Sequence, residues 1–75
     1  MFSEKVFVER LNLLMQENSI SKQALANAIG TSRPAVSQFA NGVNLPSIEK
    51  LVAIAEHLDV STDYLLGLSD NPKRA

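Results

Sequence analysis

Apolar residues recur at helical spacing in separate runs along the chain, and no stretch alternates apolar with polar as a strand would. Phe7, Leu11 and Leu14 set the inward stripe of a first helix that ends near Asn18. Leu25, Ala26 and Ile29 set a second helix, and Val36 and Phe39 a third. Ile48, Leu51, Val52, Ala55 and Leu58 mark the buried face of a fourth, and Tyr64, Leu65 and Leu66 form a short last helix stopping at Gly67. The punctuation between the runs agrees with this. Ser3, Ser21, Thr31 or Ser32, Ser47 and Ser61 stand where an N-cap hydroxyl is needed, and Glu4, Glu49 and Asp63 follow in first turns, where a negative charge suits the helix dipole. Gly30 and Gly42 fall where a left-handed residue ends a helix. The pattern predicts an all-α bundle of five helices.

The most informative stretch is Lys22 to Asn41, KQALANAIGTSRPAVSQFAN, which reads as a helix-turn-helix. Gly30 lets the chain reverse, Pro34 sits in the first turn of the next helix where its missing N–H does no harm, and the small Ala26 permits close approach to Val36. The outer face of the later helix, about residues 32–41, then holds Arg33, Ala35, Ser37 and Gln38, donors and acceptors around one small apolar spacer. Arg33 precedes proline, a position biased away from the α region, which would place it at the cap. Lys22, after the Ser21 cap, lies at a helix N-terminus that already favours an anion. Asn41 and Asn44 flank the following turn with amide donors suited to phosphate oxygens, though Asn before Gly is also ordinary turn chemistry. Phe2, Val6 and Leu13 fall outside the first helix's stripe and are candidates for a partner face.

On these residues the chain resembles the DNA-binding domain of the phage repressor and Cro family. The family's apolar positions are met at Leu25, Ile29, Val36 and Phe39, its small residue at Ala26 and its glycine at Gly30. Phe7, Arg10, Leu11 and Leu14 match its first helix, and Asn41-Gly42, Pro46-Ser47 and the run Val60 to Gly67 match its later landmarks. The resemblance implies a five-helix lambda-repressor-like bundle with its third helix in the major groove of duplex DNA. It implies base contacts from Arg33, Ala35, Ser37 and Gln38, with Gln38 on adenine, and phosphate contacts from Ser21, Lys22, Ser32, Asn41 and Asn44. Many members carry a Gln where Lys22 stands, so the phosphate contact should here become a charged one. Many also pair an Arg in the first helix with a Glu late in the third; this chain has Met15 and Ala40, which should therefore lie near each other in the core. A homodimer on a pseudo-palindromic operator is expected, with Leu66 and Leu68 as possible contacts.

Charge qualifies this picture. The formal net charge is −1, which gives no overall attraction to phosphate. The distribution is polarised, however: no acid stands between Glu17 and Glu49, a stretch carrying +2 from Lys22 and Arg33, whereas residues 49 to 70 carry −4. Two basic side chains are few, so a shallow salt dependence follows. The absence of cysteine removes disulfides and thiolate metal sites, and His57, the lone histidine, falls off its helix's buried face with no ligand at metal spacing. Neither a catalytic constellation nor a phosphate loop is present, so no enzyme, metal, cofactor or small-molecule ligand is expected. Glu4 and Glu9 interrupt any leader-like run and no segment reaches membrane-spanning length, which suits a cytoplasmic protein; the resemblance implies a bacterial or phage-encoded one. Residues 1–68 read as the DNA-binding domain, and 69–75, lacking a periodic apolar face, as a flexible tail or the start of a linker. The expected function is sequence-specific transcriptional regulation, most simply repression. The alternatives are a helical protein-interaction module and a DNA-binding antitoxin with a toxin partner.

Overall fold

The structure, a computed structural model, describes residues 2–74. Five helices follow one another: α1 (Glu4–Glu17), α2 (Lys22–Ile29), α3 (Arg33–Asn41), α4 (Ile48–Leu58) and α5 (Thr62–Leu65). Among the described residues there is no strand. Every helix opens on a serine whose hydroxyl accepts from the backbone N–H three residues on: Ser3 from Val6, Ser21 from Ala24, Ser32 from Ala35, Ser47 from Lys50 and Ser61 from Tyr64, at 3.0–3.3 Å. Each such cap is worth about 1 kcal/mol, and together they fix where the helices begin. Thr31 is not a cap; Ser32 is.

The ends are set by left-handed residues. Gly30 (φ 75°) and Gly42 (φ 73°) close α2 and α3 as the glycine positions suggest. After α4 the same conformation falls on Asp59 (φ 57°), whose N–H donates to Ala55 and Glu56 carbonyls. The sequence offers no glycine there.

One core joins all the helices. Phe7 and Leu11 of α1, Leu25 of α2, Val36 of α3, Ile54 of α4 and Leu65 of α5 are the largest fully buried side chains. Ala26 and Val36 are both wholly buried where α2 packs on α3. Met15 and Ala40 are also buried in this cluster, and the Asn12 amide, three residues before Met15, crosses from α1 to the Ala40 carbonyl at 2.9 Å. Both positions are thus apolar and buried in the one core, and among the described residues no charged side chain is buried.

The face of α4 differs from expectation. Ile48 is 82% exposed and Val52 42% exposed, whereas Ile54 is fully buried. α4 packs on α2 and α5, and the ridge turned toward them is Leu51, Ile54, Ala55 and Leu58. Ile48 and Val52 lie one step around the helix from that ridge. Apolar character alone does not distinguish these two positions from the buried ones.

The face proposed for Phe2, Val6 and Leu13 is partly used within the domain. Val6 is half buried against Gly67 (φ 77°), where an added Cβ would come within 3.0 Å of a Val6 methyl. Phe2 borders a small apolar crevice with Phe7, Leu45, Pro46, Leu51 and Leu66. Leu13 faces solvent.

Residues 69–72 attach to the body through polar groups. The Arg10 guanidinium donates to the carbonyls of Tyr64 and Ser69, the latter at 2.7 Å, and to the Asp70 carboxylate at 2.9 Å, while lying 4.1 Å over the Tyr64 ring. The Ser61 N–H donates to the Pro72 carbonyl at 2.9 Å.

Candidate nucleic-acid interface

Helices α2 and α3 pack directly on each other and contain no acidic residue. Burying Val36, Phe39 and Ala40 turns the opposite ridge of α3 outward, and Pro34, Gln38 and Asn41, at i, i+4 and i+7, are exposed along it. Arg33 is exposed in the first turn. Because Ser32 takes the capping role, Arg33 is the first residue of α3 and not its cap, and the proline bias is overridden. Ser37 flanks the ridge half buried. Ala35 is also half buried and packs against the core, so it presents less surface than the sequence pattern suggests.

The candidate contact residues are tied to one another. Lys22 Nζ, from the first turn of α2, donates to Ser37 Oγ at 3.4 Å, which leaves the serine O–H free to donate outward. Asn44 Nδ2 donates to Gln38 Oε1 at 2.7 Å. Ser21 and Ser32 are exposed at the N-termini of α2 and α3, each with its Oγ engaged by its own helix. Asn41 belongs to the exposed ridge of α3 itself, beside Gln38, and only Asn44 lies in the loop beyond Gly42.

Lys50 falls by sequence position within the acidic stretch 49–70, but its ammonium donates to the Ile29 and Gly30 carbonyls, both at 3.1 Å. It satisfies the free carbonyls that end α2, where a cation suits the helix dipole. A third positive charge thus stands at the turn between α2 and α3. Sequence reasoning missed this because the partners are about twenty residues away, and nothing local to Lys50 signals them.

The acidic side chains Glu49, Glu56, Asp59, Asp63 and Asp70 are all exposed, outside α2 and α3. His57 is exposed as well, and no group of three metal-ligating side chains occurs among the described residues. Nor, among them, is any helix long and apolar enough to cross a membrane. Leu66 is half buried in the crevice beside Phe2, and Leu68 is 48% exposed.

Comparison with known proteins agrees with the geometry. A helix-turn-helix family model matches residues 11–65. The chain is 33% identical over 67 residues to the uncharacterized HTH-type transcriptional regulator YobD of Bacillus subtilis, covering 89% of this chain and 60% of that protein. It is 34% identical over 68 residues to YqaE, another uncharacterized HTH-type transcriptional regulator of that organism, covering 91% and 59%. The chain thus spans about three fifths of the length of these relatives. Among solved structures it is similar to the P22 c2 repressor in complex with a synthetic operator, with a TM-score of 0.77 and 33% identity, covering 80% of this chain and 91% of that one. With the match extending from the first helix to the last, the chain belongs to the XRE-type, lambda-repressor-like family of helix-turn-helix proteins.

Proposed function

We propose that this chain is the DNA-binding part of a transcriptional regulator, most simply a cytoplasmic repressor, that reads duplex DNA by laying α3 in the major groove. The exposed ridge of α3 on an acid-free pair of helices carries the proposal, because it offers polar side chains on a rigid, narrow helix free of negative charge. Arg33, Ser37 and Gln38 read base edges, with Ala35 a smaller apolar contact beside them. Lys22, Asn41, Asn44 and the helix starts at Ser21 and Ser32 hold the phosphates. The operator complex of the similar P22 c2 repressor supports this reading.

The proposal includes a homodimer, since one such domain reads only a few base pairs. Leu68 is available for that contact. Leu66 is shared with the domain's own packing, and the exposed Ile48 and Val52 add apolar surface. In this reading residues 1–68 form the binding unit and 69–75 a tail or the start of a linker, whose first residues are held against the domain by Arg10 and Ser61.

Selection from a random duplex pool at near-physiological salt tests the function. An inverted repeat with half-sites about one helical turn apart is expected, and Gln38→Ala should relax preference at one position by about 1–3 kcal/mol. A folded protein that enriches no sequence refutes the proposal.

A further inference from the structure

The C-terminal end of α3 is held from outside the helix-turn-helix. A helix leaves its last four carbonyls without partners of its own. After α3 the turn supplies part of what is missing: the Gly42 N–H donates to the Gln38 and Phe39 carbonyls, and the Val43 N–H to the Gln38 carbonyl at 3.0 Å. The Ala40 carbonyl is satisfied differently. It accepts from Asn12 Nδ2 of α1 at 2.9 Å, and because Ala40 is only 4% exposed, water is a poor substitute for that donor. The same Nδ2 donates to the Val8 carbonyl, one turn back in α1, at 2.8 Å. An amide amino group has two hydrogens, and here each has one carbonyl oxygen. The orientation is therefore fixed, since a reversed amide would set its oxygen against both carbonyls. Val8 stands at the same junction: a Cβ on Gly42 would lie 3.4 Å from a Val8 methyl.

We propose that Asn12 is a positioning residue for DNA reading: it fixes the last turn of α3 against α1 and so sets where Gln38 and Asn41 stand on the duplex. The inference rests on the reading of Gln38 as a base contact. Apart from this bond α1 meets α3 through the apolar core, and apolar packing is non-directional, so by itself it leaves slack in the seat of a helix end. A hydrogen bond has a preferred distance and angle. Supporting bonds of this kind hold a contact side chain to within about 0.5 Å of its working geometry. Lys22 lies outside this influence, on α2, which α4 packs against.

The test uses an operator duplex enriched from the random pool and measures the factor by which Gln38→Ala weakens binding of the 75-residue chain. In the wild-type background that factor should be about fivefold or more. In an Asn12→Ala background it should fall to about twofold or less, because Gln38 is no longer held in register, while the factor for Lys22→Ala stays as it was. A role in stability alone would leave both factors unchanged in the folded protein. Asn12 is exposed, so its truncation removes no core packing, and melting curves show that the variant is folded at the assay temperature. Asn12→Asp, isosteric but without the donor, should also lower the Gln38 factor, and it decides the matter should the alanine variant not fold. An unchanged Gln38 factor overturns the inference. So does an equal fall in the Gln38 and Lys22 factors, which would mean a general loss of the interface. If Gln38→Ala costs nothing in the wild-type background, or no operator is enriched, the underlying reading falls and this inference with it.

Discussion

Replacing Arg10 with methionine keeps most of the side chain's apolar stem and removes the guanidinium that joins α1 to the C-terminal end of the chain. In the native structure that group donates to the Tyr64 and Ser69 carbonyls and lies over the Tyr64 ring, with only 19% of its side chain exposed. A hydrogen bond from a charged donor contributes about 1.5–3 kcal/mol, and a partly desolvated cation–π contact about 0.5–2 kcal/mol. The Tyr64 carbonyl keeps a second donor, the Gly67 N–H at 3.1 Å, and the Ser69 carbonyl can be hydrated once released, so the sum is not lost in full. The expected cost of Arg10→Met is about 2–4 kcal/mol, a large part of the stability of a domain this size. Asp70 is different, because its side chain is fully exposed and its ion pair with Arg10 is screened by solvent. Asp70→Asn should leave the unfolding midpoint unchanged within error. Urea unfolding followed by helical circular dichroism measures both variants. Amide exchange at Ser61, whose N–H donates to Pro72, reports separately whether residues 69–72 detach in the Arg10 variant. Equal losses for the two variants, or a loss under about 1 kcal/mol for Arg10→Met, would refute the view that the carbonyl and ring contacts hold this end in place.

Further outcomes follow from the same structure. Lys22→Ala should weaken binding to all duplexes alike and reduce the slope of log affinity against log salt by about 0.9, read from titrations at several salt concentrations. Gly67→Ala combines a left-handed backbone with a Cβ placed 3.0 Å from a Val6 methyl, and should destabilise by about 1–3 kcal/mol. Adding Val6→Ala removes the 3.0 Å contact and leaves the Cβ of residue 6 at 3.2 Å, so the double variant should lose somewhat less than the sum of the singles in a thermodynamic cycle. Asp59→Gly relieves a left-handed non-glycine residue and removes a negative charge from the C-terminal end of α4; a gain of about 0.5–1 kcal/mol is expected, seen as a higher melting temperature.

What the sequence determined by itself is local in origin. Four of the serine caps, the fifth narrowed to Thr31 or Ser32, the glycine reversals at Gly30 and Gly42, and the inward stripes of α1, α2 and α3 follow from interactions within a few residues, so spacing alone locates them. The outward placement of Arg33 and Gln38 was legible for the same reason, since burying Val36 and Phe39 turns Gln38 outward, whereas Ala35 and Ser37 are half buried and the ridge instead takes in Pro34 and Asn41. Tertiary structure decided the rest. Ile54 and not Ile48 entered the core because α2 and α5 cover one side of α4, and a helix does not specify which of two adjoining apolar stripes will be covered. Arg10 and Lys50 found their carbonyl partners about fifty-five and twenty residues away, and no local pattern marks a backbone oxygen as free. Asn44 lies between the two cases: its turn is written in Asn41-Gly42, but which end of the Gln38 amide it holds emerges only when the chain folds back and the two side chains meet.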